Sequence, residues 1–216
     1  HVLGSAQCFL ATVAGTLLYT GDFKLRAGLG SERAQPVRAD TLVMETTYGL
    51  PRYVFPPAEE VIARVVKFCV EALEDEETPV LLGYSLGKAQ EILLALAGAG
   101  VSILLHGSVW EMTRIYEAMG VRFPAYGKLE PGANPAGHVV ICPPGASASL
   151  RKIPRRRVAC LTGWAMDAGA VHRLQVDAAF PLSDHADYDD LMRYVALVQP
   201  RRVLTLHGFA REFARD

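Results

Sequence analysis

Residues 79 to 90, Pro79-Val-Leu-Leu-Gly-Tyr-Ser-Leu-Gly-Lys-Ala-Gln90, read as a short apolar strand, a glycine turn and the opening of a helix. Downstream the helix runs over 88–97, and strand and helix then alternate: strand 101–105, helix 109–119, strand 139–142 after the Pro/Gly-rich connection 126–137, and strand 158–162. Parallel strands need a crossover, and a helix is the compact way to make one, so this alternation predicts a parallel sheet wound with helices. Upstream, Pro51, Pro56 and Pro57 punctuate a boundary, and 58–73 carries Val61, Ile62, Val65, Val66 and Val70 at helical spacing. Beyond these limits the style changes. Residues 7–19 alternate as a hairpin that ends at Gly21-Asp22, and Thr41-Leu-Val-Met-Glu45 is a strand that stops on a carboxylate. After Phe180 come the loop Ser183-Asp-His185-Ala-Asp187, a helix over 188–198, a strand over 203–206 that ends on His207-Gly208, and a helix over 209–216. The chain is therefore read as α/β in two parts: a discontinuous domain from 1–50 and 180–216, and a second domain, 51–179, inserted into it.

Composition narrows the function classes. The 216 residues are 50% hydrophobic and 21% charged, with 22 Lys+Arg against 23 Asp+Glu and a net charge of -1. A near-neutral chain has no broad positive field, so a polyanionic partner would have to be held by local features. Cys8, Cys69, Cys142 and Cys160 are widely spaced, without a CxxC pair, and are expected to be buried thiols in a reducing compartment. The uncharged stretches 2–21 and 92–110 fail as membrane spans, the first for its Ser, Thr and Gly content and the second for Gly98-Ala-Gly100. With no secretory leader pattern, the cytoplasm is the expected location. The chain opens at His1 rather than Met, and it is expected to be a piece of a longer protein.

The recurring feature is a polar group at the end of an apolar strand: Asp22, Glu45 and His207, with His185 in a helix-opening loop and His1 at the terminus. Carboxylates and neutral imidazoles are ligands that zinc accepts, and two metals about 3.5–4 Å apart can activate water and hold phosphodiester oxygens. The motifs His1-Val-Leu-Gly-Ser-Ala6, Leu18-Tyr-Thr-Gly-Asp22, Met44-Glu45-Thr-Thr-Tyr-Gly49, Tyr84-Ser-Leu-Gly-Lys-Ala-Gln90, Ser183-Asp-His185-Ala-Asp187 and Leu206-His207-Gly208 occur in that order. In this order the chain resembles the metallo-β-lactamase-fold nucleases of the β-CASP group. Its wording at Gly163-Trp164 and Leu182–Tyr188 is most like the bacterial ligase-associated DNA exonucleases and the messenger-RNA 3'-end processing nucleases.

The resemblance implies an αββα sandwich domain, here partial, carrying an inserted β-CASP α/β domain. It implies a zinc-dependent hydrolysis of phosphodiesters in single-stranded DNA or RNA, with two zinc ions in complete family members and a DNA ligase as a further partner. No membrane partner is expected. Carried over by position, His1, Asp22 and His207 are the implied metal ligands, with Asp22 bridging both ions. Glu45 would orient His185 as the general acid for the leaving oxygen, giving Asp22, Glu45 and His185 as the catalytic set. A carboxylate beside an imidazole raises its pKa, which suits an acid at neutral pH. DNA exonuclease action linked to repair or ligation is implied first, and RNA processing on the same fold is the alternative, since His207 is the residue type of RNA-directed relatives. The departure from the family is large: the preceding His-x-His-x-Asp-His segment has no counterpart, and no His-x-His occurs anywhere in the chain. A catalytically silent nucleic-acid-binding subunit is the rival reading, and retention of His1, Asp22, Glu45, His185 and His207 together speaks against it.

Other clusters are weighed against plainer roles. Ser85-Leu-Gly87-Lys88 lacks the spacing of a nucleotide-hydrolysing P-loop, but its Gly turn before a helix can offer N–H groups to a backbone phosphate, so Ser85, Gly87 and Lys88 are candidate nucleic-acid contacts. Arg151-Lys152 and Arg155-Arg156-Arg157 form the dense basic run, with Arg155, Arg156 and Arg157 as candidate phosphate grips and a solvated face as the plainer reading. His106 and His138 are read as hydrogen-bonded structural residues and His172 as solvated. The acidic run Glu71 to Glu77 is assigned no function.

Overall fold

The computed structural model describes residues 1–146, 150 and 153–216. In chain order its elements are β1 (Cys8–Thr12), β2 (Gly15–Tyr19), β3 (Thr41–Glu45), α1 (Ala58–Glu74), β4 (Thr78–Leu82), α2 (Lys88–Ala95), β5 (Ile103–Leu105) and α3 (Gly107–Ala118). There follow β6 (Gly127–Lys128), β7 (Val139–Cys142), β8 (Arg156–Leu161), α4 (Ala170–Leu174), β9 (Ala178–Phe180), α5 (Tyr188–Val198), β10 (Arg202–Leu206) and α6 (Ala210–Phe213). They pack as two compact units, His1–Phe55 with Asp184–Asp216, and Pro56–Ser183. These limits differ by a few residues from those expected at 50/51 and 179/180. At one end β9 is a strand of the second unit's sheet; at the other, the Phe55 N–H donates to Asp187 of the first unit.

The second unit is built on a six-stranded parallel sheet of order β6-β5-β7-β4-β8-β9. The wound α/β expectation holds, and β6 and β9, of two and three residues, are additions too short to show a period. All residues of β4 and β7 are buried, as central parallel strands covered on both faces must be. Leu81, Ile141, Leu105 and Leu161 pack on one face with α1 and α2, while Val80, Val140, Cys142 and Cys160 pack on the other with Leu150 and Ile153. In α1 the buried positions are Val61, Val65, Cys69 and Ala72, one stripe at helical spacing. Complete burial of each such valine contributes roughly 1.5–3 kcal/mol.

The first unit has a four-stranded sheet of order β1-β2-β3-β10, with β1 antiparallel to β2 and the β2–β3 and β3–β10 pairs parallel. One face is closed by α5: Leu18, Leu42 and Met44 pack with Leu191, Tyr194 and Val198. The other carries a row across all four strands, Cys8, Tyr19, Val43 and Leu204, set by the pairing register. Tyr19 is 41% and Leu204 45% exposed. Cys8 is exposed with the rest of edge strand β1, which corrects the expectation of a buried thiol there; Cys69, Cys142 and Cys160 are buried and free. Among the described residues no helix is long and apolar enough to cross a membrane.

Candidate metal centre

Because β2, β3 and β10 run parallel, their carboxyl ends share one rim. The chain leaves β2 through Thr20-Gly21 to Asp22, β3 ends on Glu45, and β10 is followed by His207. The loop 184–187 ahead of α5 adds His185. Glu45 is buried, with Oε1 2.8 Å from His185 Nδ1 and accepting the Phe23 N–H at 3.2 Å, while Oε2 accepts the Thr47 N–H at 3.1 Å. Burial works to push the Glu45 carboxyl up, but the His185 hydrogen bond and charge, with the two N–H donors, outweigh it and hold the pKa below the usual value. Burial likewise works to lower the His185 pKa, and the hydrogen bond and charge of Glu45, with Asp22 and Asp184, reverse the sign and raise it. The two shifts run in opposite directions and both favour the charged form of the pair.

His1 lies beside it. Its ring centroid is 4.7 Å from that of His185, and its Nε2 is 3.9 Å from Asp22 Oδ2. One ligand atom from each of His1, Asp22 and His185 falls within 4.8 Å of the other two. Two imidazoles and a carboxylate are an accepted zinc donor set, and bonds of about 2.0–2.1 Å place tetrahedral ligand atoms roughly 3.4 Å apart, so modest contraction would suffice. With Nδ1 committed to Glu45, Nε2 is the His185 nitrogen left for this group. A carboxylate on the far nitrogen is the usual way such a ring is oriented.

His207 does not join this group. Its φ of +61°, followed by Gly208 at +53°, turns the chain off the sheet and leaves residue 207 exposed, while Thr46 Oγ1 donates to its carbonyl at 2.8 Å. Of the residues implied as ligands, His1 and Asp22 come together, and the third residue whose ligand atom joins them is His185. Two supports were missed in the sequence. The Tyr48 ring lies edge-on to His185 with centroids 6.1 Å apart, signalled only by its place in the Glu45–Gly49 motif. Arg26 bonds Asp187 and the Phe55 carbonyl, and Asp187 Oδ1 caps α5 by accepting the Asp190 N–H at 3.0 Å, which fixes the His185 loop.

In the second unit the candidate nucleic-acid contacts have partners within the protein. Lys88 is buried, its Nζ 3.1 Å from Glu91 Oε2, so it presents no charge to solvent. The Gly87 N–H donates to Gln90 Oε1 at 2.7 Å and is already used, and Ser85 Oγ is 2.9 Å from Ser108 Oγ. What this turn exposes is Tyr84, at 70%, and Leu86, at 48%. Arg155 pairs with Glu76 at 3.0 Å, and Arg157 with Asp75 and Glu77 at 2.6 and 2.7 Å; Arg156 donates to the Ile153 carbonyl at 2.7 Å. Arg155 and Arg157 thus meet the acidic run, because the parallel pairing of β4 with β8 sets the two strand starts side by side. Arg151 and Lys152 lie outside the described residues. His106 caps α3 and His138 Nδ1 is 2.9 Å from the Ala136 carbonyl, the structural roles expected; His172 is exposed in α4.

A family model described as the Zn-dependent metallo-hydrolase RNA specificity domain matches residues 174–215. The whole chain aligns, at 53% identity, with 21% of a probable DNA ligase of Opitutus terrae. At 30% identity, 58% of the chain matches 21% of the transcription termination factor FttA of Methanococcus maripaludis. At 23% identity, 96% of it matches 62% of an RNase J-like protein of Methanocaldococcus jannaschii. The chain therefore spans about a fifth of the ligase and FttA relatives. Among solved structures, a protein of unknown function from Enterococcus faecalis shares the fold, with a TM-score of 0.56 at 14% identity over 95% of this chain and 55% of that one.

Proposed function

Because this chain belongs to the β-CASP group of metallo-β-lactamase-fold nucleases, we propose that it forms part of a zinc-dependent nuclease acting on single-stranded nucleic acid. The observation that carries the reading is the convergence of His1, Asp22 and His185 with Glu45 fixed behind the imidazole. In this reading the first unit is the metallo-β-lactamase domain and the second the β-CASP insert. The apolar row from Cys8 to Leu204 supports an αββα sandwich, since such a face suits a second sheet packed about 10 Å away.

His1, Asp22 and His185 would hold zinc, with the family's two-ion arrangement and a role for His207 belonging to the same proposal. Bound zinc would supply Lewis acidity toward a phosphoryl oxygen and a lowered pKa for water. The residues' own part is electrostatic and positional. Asp22 contributes the negative charge of the site. Glu45 holds the His185 ring in one orientation through Nδ1, so that its Nε2 can serve either as a neutral ligand or, when protonated, as the general acid for the leaving oxygen. The ligase relative supports a DNA strand and an exonuclease linked to ligation; the RNA-specificity description of 174–215 supports RNA processing as the alternative.

The test is hydrolysis of end-labelled single-stranded DNA and RNA of one sequence with added zinc. It compares the 216-residue chain, the chain joined to a His-x-His-x-Asp-His segment from a relative, and Asp22→Asn in the joined form. The joined form should cleave and Asp22→Asn should not; the chain alone, with three clustered ligands, should bind zinc weakly and cleave neither polymer. Strand binding without cleavage in the joined form would establish the silent-subunit reading instead.

A further inference from the structure

A cavity of about 430 Å³ opens in the second unit, and it is lined by His106, Gly107, Lys128, Leu129, Glu130 and Ile153 among others. Its volume is within the roughly 300–1,000 Å³ of ligand clefts. It sits where β5 and β6, paired in parallel, reach their carboxyl ends at Leu105 and Lys128, the edge of a parallel sheet at which α/β proteins place ligands.

The His106 ring is fixed from behind. The Ser108 N–H donates to His106 Nδ1 at 3.3 Å, and Ser108 Oγ lies 2.9 Å from that nitrogen and 2.9 Å from Ser85 Oγ. With Nδ1 accepting the Ser108 N–H, Nε2 is the ring nitrogen that can donate. Lys128 Nζ is 5.0 Å from the Trp110 ring centroid, and its Cε lies 4.0 Å from where a Cβ on Gly107 would stand. The ammonium stem is thus kept beside His106. Leu129 and Ile153 give an apolar wall, and Glu130 brings one carboxylate to the same space.

We propose that this cavity binds a nucleoside monophosphate, with the phosphate taken by His106 and Lys128, the base against Leu129 and Ile153, and a base N–H edge accepted by Glu130. A cation with an N–H donor suits a phosphomonoester, and a carboxylate in a partly apolar lining suits a base that donates hydrogen bonds, of which guanine has two adjacent donors. The inference does not depend on the nuclease reading, because it concerns binding to the second unit and needs no cleavage.

Isothermal titration of the 216-residue chain with GMP, guanosine and inorganic phosphate tests it. GMP should bind, with guanosine and phosphate each at least about tenfold weaker, and Lys128→Gln should weaken GMP about tenfold. His106→Asp keeps an acceptor that caps α3, so the melting temperature should hold while the added negative charge abolishes GMP binding. If His106→Asp melts early, Lys128→Gln alone decides, since the exposed Lys128 can be replaced without opening the core. Absence of GMP binding, equal affinity for guanosine or phosphate, or unchanged affinity in Lys128→Gln overturns the proposal.

Discussion

Replacing Glu91 by Gln should destabilise the second unit by about 3 kcal/mol, because the change removes a carboxylate paired with a buried ammonium. Lys88 Nζ and Glu91 Oε2 are 3.1 Å apart, and the two side chains are 3% and 8% exposed. At an effective dielectric near 20, charges at that distance attract by about 5 kcal/mol, which offsets the cost of taking both from water. Gln keeps the size and an acceptor but not the charge, so part of the attraction survives. The stem of Lys88 is packed as well: its Cγ is 2.8 Å from where a Cβ on Gly83 would stand. The double replacement Lys88→Met with Glu91→Leu removes both charges and should return stability to within about 1 kcal/mol of the starting chain or above it. Urea unfolding followed by tryptophan fluorescence measures this unit directly, since Trp110 and Trp164 both lie in Pro56–Ser183. A cost below about 1 kcal/mol for Glu91→Gln, the level of an exposed pair, would refute the burial argument and restore Lys88 as a candidate phosphate contact.

Gly208→Ala should cost more than about 3 kcal/mol in calorimetric stability, because φ is +53° and the new Cβ would stand 2.4 Å from Thr47 Cα and 2.5 Å from the Thr46 carbonyl oxygen. Gly120→Ala, at φ +93° with nothing within 4 Å, should cost only about 1–2 kcal/mol, and equal losses would discount the backbone clash. A disulfide reagent at pH 8 should label Cys8 alone in the native chain: burial pushes the Cys69 and Cys142 thiols up to about 12 and raises that of Cys160. Thiols near 12 carry almost no thiolate at pH 8 or 9, and Cys160 is buried, so moving between them should add no site, and a second native label would contradict the packing. Arg155→Gln with Arg157→Gln should leave the affinity for single-stranded DNA and its salt slope unchanged, since both arginines are matched by carboxylates. A slope smaller by about one or two per chain would return them to the strand-binding surface.

The elements that could be read from the chain were those with a period. The stripe Val61, Val65 and Cys69 and the apolar blocks 78–82 and 139–142 declare a helix and two buried strands, because one buries a single face and the others bury two. Strand β6, with two residues, has no period to read, and Lys88 follows a glycine turn in the manner of many exposed lysines. Its burial depends on Glu91 one turn along α2 and on Gly83 at the end of β4.

In the candidate metal centre the division is similar. Residue types at strand ends, Asp22 and Glu45 above all, were legible in one dimension because an apolar run that stops on a carboxylate places that group on a rim. The sequence by itself determined the chemistry available: two carboxylates and three imidazoles distributed over five segments. Which of them meet was decided only in three dimensions. Parallel pairing aligned the ends of β2, β3 and β10, the capped start of α5 carried His185 to Glu45, and the left-handed turn at His207 left that residue outside the group. The same holds for charge: Asp75, Glu76 and Glu77 meet Arg155 and Arg157 because β4 pairs with β8 in the register Thr78 to Arg156. Ion pairs between such distant segments leave no local pattern, since their geometry follows from which strands become neighbours once the core has formed.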